Sequence, residues 1–270
     1  MKKFLDYGEN KIHYSRFGNG EKLLFAIPGF ADDAVMFDVL KTSLEDQFTV
    51  IAINLPFHGE TAWNMKTIFR KEDLKNIIQL FLRQENKNRF SLMGYSLGGK
   101  MVLSQLEFFS KQVESVFLFA PDGIVSSGFY NLAVYPKWGR GIFSFTVKYP
   151  RWFFLLLKIL HEVRIVSEPL YVFTISQMNT FEKRQRIKNV WLVLREVKIE
   201  IKKVIKILNE EKIPLLLVYG KYDAVIKSKD GKNFAEKIKA ITFVELDKGH
   251  RLVKEYLNKP VQLFIEENKL

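Results

Sequence analysis

Residues 90–99 read FSLMGYSLGG. Ser96 therefore stands two residues from Gly94 and two from Gly98, after an apolar run that reads as a strand and before one that reads as a helix. This pattern suits an exposed nucleophile. The serine must occupy a tight, strained turn for its hydroxyl to project from a sheet edge, and side chains at the flanking positions would collide where strand and helix pack. The helix N-terminus then aims free N–H groups at a reacting oxygen.

A serine hydroxyl is a poor nucleophile without a base, and the base needs an acid to orient it. The chain has four histidines, His13, His58, His161 and His250. His250 lies in Asp-Lys-Gly-His, just after the last expected strand. Asp223 lies in Tyr-Gly-Lys-Tyr-Asp, just after the strand before it. Both then emerge at the sheet edge that carries Ser96. Asp122 follows another strand at the same edge and competes with Asp223 as the orienting acid; it could otherwise cap the turn that follows. His58 is a candidate for substrate contact against a simpler role in loop packing, and His161, in an apolar helical stretch, reads as structural. No His/Asp/Glu cluster has metal-ligand spacing, so no metal is assigned.

The elements that must position these groups alternate. KFLDYG and KIHYSRFG read as a hairpin turned at Gly8-Glu9-Asn10. KLLFAI, FTVIAINL, FSLMG, VESVFLFA, IPLLLVYG and ITFVEL read as strands. Residues 72–83, LGGKMVLSQLEFF, KNFAEKIKA and a segment after His250 read as helices. Strands joined by helices imply an α/β fold: a mostly parallel sheet flanked by helices. From 123 to 206 the rhythm breaks into a helical, aromatic stretch, and residues 129–173 hold 12 aromatics. The reading is a core of residues 1–122 and 207–270 with a helical insertion, 123–206, after the sixth strand.

Taken together, YGENKIHYSRFG, AIPGFADDAVMFD, INLPFHGET, MGYSLGG, YGKYDAVI and KGHRLV resemble, in order and spacing, the α/β-hydrolase superfamily, specifically single-domain serine hydrolases with a helical cap. The resemblance implies Ser96 as nucleophile, His250 as base and Asp223 as its orienter, the last because the Gly-x-x-Asp turn fits the family. It implies an oxyanion hole from the backbone N–H groups of Phe30 and Leu97. Tyr95, His58 and Asp122 are candidates for substrate contact, and the chemistry needs no cofactor. Two features depart from the family. Pro28 stands where a histidine is usual, and Asn54-Leu-Pro-Phe-His-Gly59 replaces Asp-x-Pro-Gly-x-Gly, which opens that loop to a different shape. The expected substrate is an ester or thioester with an apolar acyl or aromatic part. Carbon–carbon bond hydrolysis, cofactor-free haloperoxidase chemistry and non-catalytic ligand binding on the same scaffold are the alternatives.

Composition bounds the rest. The 270 residues are 47% hydrophobic and 27% charged, enough for a buried core. There is no cysteine, hence no thiol chemistry, and no signal-peptide pattern; the chain reads as a cytoplasmic enzyme. Net charge is +12, and residues 123–206, with 15 basic and 5 acidic side chains, carry +10 of it. On an unbroken helix over 184–208, Arg184, Lys188, Arg195, Lys202 and Lys206 fall opposite an apolar face. That pattern is either a solvated surface or a docking face for an acidic carrier protein, a phospholipid surface or an acidic substrate tail. Nucleic acid is not expected, because the aromatics sit inside apolar runs rather than spaced for base stacking.

Overall fold

In a computed structural model, the structure describes residues 3–125 and 128–270. Residues 1 and 2, and residues 126 and 127 of the expected insertion, lie outside the described residues. Among the described residues eight strands form one sheet in the order β1-β2-β4-β3-β5-β6-β7-β8. They are β1 (Lys3–Tyr7), β2 (Asn10–Phe17), β3 (Lys22–Ile27), β4 (Phe48–Ile53), β5 (Phe90–Tyr95), β6 (Val113–Phe119), β7 (Leu215–Gly220) and β8 (Ile241–Leu246). Every pair from β4 through β8 is parallel; β1–β2 and β2–β4 are antiparallel, as the hairpin reading requires.

The central strands are apolar without alternation, and β5 and β7 are buried along their whole length. Such strands must be covered on both faces. The covering helices include α1 (Lys41–Leu44), α2 (Lys71–Gln84) and α3 (Leu97–Phe109). The face Leu74, Ile77, Ile78, Phe81 and Leu82 of α2 is buried, as its spacing predicts. Phe25, Phe81, Phe90 and Phe109 form one chain of ring contacts, with centroids 5.2–6.0 Å apart. Each such fully buried ring contributes about 1.5–3 kcal/mol of hydrophobic stabilisation.

After β6 the described chain is helical: α4 (Gly128–Val134), α5 (Lys137–Lys148), α6 (Arg151–Glu162), α7 (Glu168–Met178), α8 (Phe181–Val193) and α9 (Ile201–Glu210) precede β7. Two compact units result. The first comprises Met1–Asn64, Phe69–Val125 and Val197–Leu270; the second comprises Met65–Ile68 and Ser126–Glu196. Helix α9 packs on α3 within the first.

Two local expectations change. The helix over 184–208 is broken, since α8 ends at Val193 and α9 begins at Ile201. Arg184 is buried, its Nε donating to the Val147 carbonyl at 2.9 Å and its Nη1 to Met178 O at 2.7 Å. The guanidinium satisfies two backbone acceptors inside the helical unit, so the five basic residues do not share one solvated face. The helix expected over KNFAEKIKA is α10 (Ser228–Ala235), earlier in the chain. Gly231 lies within it because the Tyr219 ring occupies the space where a Cβ would stand. Residues 237 and 238 bond back only three positions before β8 begins. The last helix, α11 (Asn258–Glu267), follows His250 after a short 3-10 turn.

Candidate active site

Strands β3, β5, β6, β7 and β8 run parallel, so their C-terminal ends share one edge. The residues that follow them are Pro28, Ser96, Asp122, Asp223 and His250, within the first unit.

Ser96 links β5 to α3 with φ 50° and ψ −117°. A side-chain-bearing residue enters that region at a cost of about 1–3 kcal/mol. Three backbone hydrogen bonds hold it there: Ser96 N–H donates to Phe119 O at 3.0 Å, and Ser96 O accepts from Gly99 N at 2.9 Å and Asp122 N at 2.8 Å. The flanking glycines are needed for close approach. A Cβ on Gly98 would stand 1.9 Å from Ile27 O and 2.7 Å from Pro28 O; one on Gly94 would stand 2.6 Å from Gly98 O. These contacts press the serine turn against the β3 turn.

Ser96 Oγ lies 3.0 Å from His250 Nε2, and His250 Nδ1 lies 2.7 Å from Asp223 Oδ2. The other carboxylate oxygen, Asp223 Oδ1, accepts from Val225 N at 2.8 Å and Ile226 N at 2.9 Å. The Asp223 side chain is fully buried; the His250 side chain is 14% exposed. A carboxylate can only accept, so Nδ1 carries the imidazole proton and Nε2 is left to accept from the serine hydroxyl.

The loop bearing His250 is tied on two sides. Tyr95 Oη donates to His250 O at 2.9 Å, and Tyr222 N donates to Lys248 O at 2.9 Å. At Gly220 a Cβ would fall 2.4 Å from Gly249 O and 2.5 Å from Lys248 O, so the Asp223 and His250 loops touch backbone to backbone. Burial pushes the Tyr95 hydroxyl pKa well up, with the Asp32 and Asp223 charges adding to the shift, so Tyr95 serves as a neutral donor.

Asp122 lies at the shared edge, but His250 Nδ1 is taken by Asp223. The Asp122 Oδ1 accepts from Gly123 N at 2.8 Å, and its charge partly offsets the burial that lowers the Lys100 pKa. Its contribution to the serine turn is the main-chain bond to Ser96 O. Phe30 is half-buried in the turn after β3, and Leu97 is the first residue of α3. His58 is buried, its Nδ1 donating to Pro56 O at 2.9 Å, with its ring edge-on to Phe30 at 6.1 Å. In the same loop Phe57 adopts φ 65°, a conformation that favours glycine. Asn54 Oδ1 accepts from Ala34 N, and its Nδ2 bonds His13 Nδ1, each at 2.8 Å. His161 stacks on Tyr171 at 4.6 Å and its Nε2 lies 2.9 Å from Glu168.

Asp32 was not singled out from sequence. Its Oδ2 would stand 2.8 Å from a Cβ on Gly29, a position that would also meet the Tyr95 ring at 2.8 Å. Burial raises the Asp32 carboxyl pKa, against the pull of Arg251, His250 and Lys254. In the sequence it shows only as the first of the Asp32-Asp33 pair, three residues after Gly29.

The sheet order, the serine turn and the parallel-edge site define an alpha/beta hydrolase fold. The chain belongs to that family, whose model matches residues 22–160. It is 23% identical over 269 residues to the uncharacterized hydrolase YugF of Bacillus subtilis (strain 168), spanning 94% of this chain and 92% of YugF. A thermophilic esterase from Thermogutta terrifontis superposes with TM-score 0.71 at 18% identity, covering 100% of this chain and 98% of the esterase. A bromoperoxidase from Bacillus anthracis superposes with TM-score 0.67 at 17% identity, covering 98% of this chain and 100% of the bromoperoxidase. Among the described residues no helix is long and apolar enough to cross a membrane.

Proposed function

We propose that this hydrolase cleaves an ester or thioester bearing an apolar acyl or aromatic part, through an acyl-enzyme on Ser96. One observation carries the reading: a continuous hydrogen-bonded path from Ser96 Oγ through the His250 ring to Asp223, starting on a strained serine turn. His250 Nε2 takes the hydroxyl proton as Oγ bonds to the substrate carbonyl carbon. The carbonyl π pair moves onto oxygen, and Asp223 stabilises the imidazolium through Nδ1–H. The tetrahedral oxyanion is met by backbone N–H groups of Phe30 and Leu97; losing one such donor costs about 2.7–4 kcal/mol of transition-state stabilisation. The close contact of Gly98 with Ile27 and Pro28 supports that pairing, because it brings the turns bearing both amides together. His250 then gives its proton to the leaving alcohol or thiol. A water deprotonated by His250 attacks the acyl carbon, and collapse returns the proton to Ser96 and releases the acid.

The esterase and bromoperoxidase resemblances share the fold, so product analysis must separate ester hydrolysis, peroxide-dependent chemistry and carbon–carbon cleavage. The primary test pairs turnover with labelling. Wild type should hydrolyse p-nitrophenyl acyl esters and take up a fluorophosphonate on Ser96, and Ser96→Ala should lose both. Ser96→Ala keeps a Cβ, so it removes the oxygen without relaxing the turn. Undiminished turnover in Ser96→Ala, or a wild type inert to both ester and probe, would reject the assignment, the second result favouring ligand binding without catalysis.

A further inference from the structure

The helical unit exposes apolar side chains that a water-facing surface would not need. Of 21 large hydrophobic residues exposed among the described residues, 10 fall within positions 138–165. Helix α5 is apolar on two faces. Gly139, Phe143, Thr146 and Val147 are buried; Trp138, Ile142, Phe145 and Tyr149 recur at helical spacing on the other side and are exposed, Trp138 at 59%. After the Tyr149-Pro150 link, α6 repeats the arrangement. Leu157 is buried, while Trp152, Leu155, Leu156 and Ile159 form an exposed arc, Leu155 at 61%. Val163 and Ile165, the latter 72% exposed, extend it into the next turn.

Charge around this apolar surface is predominantly basic, with Glu162, 3.7 Å from Lys158, the acidic exception within 137–165. Residues 137–165 hold six basic side chains and one acidic one. Lys137, Lys148, Arg151, Lys158 and Arg164 are exposed beside the apolar stripes. Lys148 lies 5.3 Å from the centroid of the Tyr149 ring, at the junction of the two helices. Exposed apolar side chains grouped on successive helices and rimmed by polar or charged groups mark an interaction surface, unlike hydrophobic residues scattered singly. A second copy of this chain is disfavoured, because an isologous contact would set a basic border against the same border. Amphipathic helices with tryptophan, leucine and phenylalanine on one side and lysine or arginine alongside match the boundary of an anionic bilayer, where rings and leucines enter the acyl region and cations stay with headgroups.

We propose that α5, α6 and the turn after them dock on the surface of a membrane rich in anionic phospholipid. The proposal is independent of the chemistry assigned to Ser96.

The test is cosedimentation of the full chain with vesicles of phosphatidylcholine alone and of phosphatidylcholine with phosphatidylglycerol. Binding should require the anionic lipid and weaken with salt. Trp138→Ser combined with Phe145→Ser, and Leu155→Ser combined with Ile159→Ser, should each reduce partition at least about tenfold. Arg151→Gln and Lys158→Gln should each reduce it about fivefold. Hydrolysis of a soluble ester and circular dichroism report whether these variants are folded. Should they fail to fold, quenching of Trp138 and Trp152 fluorescence by vesicles with brominated acyl chains, read against Trp138→Phe and Trp152→Phe, tests the same contact. Absence of binding at low ionic strength, binding unchanged by folded variants, or a soluble dimer that the apolar substitutions dissociate while vesicle binding persists would overturn the proposal.

Discussion

The sharpest perturbation of the site is Asp223→Asn, because the backbone dictates how the new amide must sit. In the native turn Oδ1 accepts from two N–H groups, those of Val225 and Ile226. An asparagine NH₂ cannot take that position without setting donors against donors, so the amide oxygen must remain there. The NH₂ then faces His250 Nδ1, 2.7 Å away in the native pair. A donor at that distance requires Nδ1 to accept, which moves the imidazole proton to Nε2. Ser96 then faces an N–H in place of a base, with the heavy atoms almost unmoved. Wrong-tautomer substitution of this kind lowers kcat by about 10⁴, equivalent to about 5 kcal/mol in the barrier. The assay is p-nitrophenyl ester turnover at neutral pH, with KM, fluorophosphonate labelling rate and circular dichroism alongside. KM should change little and the fold should persist. Asp122→Asn is the control; its carboxylate bonds Gly123 and not the imidazole, so kcat should stay within about tenfold of wild type, since neither the base nor its tautomer changes. A folded Asp223→Asn protein retaining near-native kcat, or the large loss appearing in Asp122→Asn instead, would refute the argument.

Two further outcomes follow from contacts around His250. Gly220→Ala should lower kcat while sparing overall folding, because a methyl group would meet Gly249 O at 2.4 Å and push the histidine loop away from Ser96; overpacking of this kind costs about 1–3 kcal/mol, visible as a fall in Tm of about 2–4 °C per kcal/mol. Asp32→Asn tests the buried carboxyl: burial raises its folded pKa above 3.8, so its favourable, protonated contribution is present below the unfolded pKa and is lost as pH rises through the folded one. The variant should therefore have a higher Tm than wild type near pH 7, with the gap closing as pH falls toward 4; a gap that widens on acidification would contradict the sign.

The sheet, the serine turn and the histidine were legible because each depends on local pattern. Unbroken apolar runs mark the two-sided strands, and Gly94 and Gly98 mark the crowding around Ser96. Which carboxylate meets His250 was less legible, since Asp122 and Asp223 both follow parallel strands at one edge. Only long-range geometry separates them: the loops after β7 and β8 meet at Gly220 and Gly249, whereas Asp122 joins Ser96 through its main chain. Gly220 read as part of a turn, and its role as a contact point between loops required the fold. Asp32 carried no periodic or motif signal. The helical segment was read least well, because a continuous apolar period over 184–208 spans α8, a break and α9, and amphipathic spacing does not reveal that Arg184 turns inward to two carbonyls.

The strain at Ser96 and the hydrogen bonds around it explain why the serine turn can persist. The left-handed φ costs about 1–3 kcal/mol. The bonds from Ser96 N to Phe119 O, and from Gly99 N and Asp122 N to Ser96 O, each contribute about 0.5–1.5 kcal/mol net, a total of comparable size. Two of the three reach β6 and the turn after it, so the conformation of the serine is enforced by the neighbouring strand as well as by its own. That gives Asp122 a structural task its side chain does not reveal, and it ties the direction of the Ser96 hydroxyl to the packing of β5 against β6. The hydroxyl therefore needs no rearrangement to face His250 before a substrate arrives, which is the form of preorganisation the proposed acyl transfer would use.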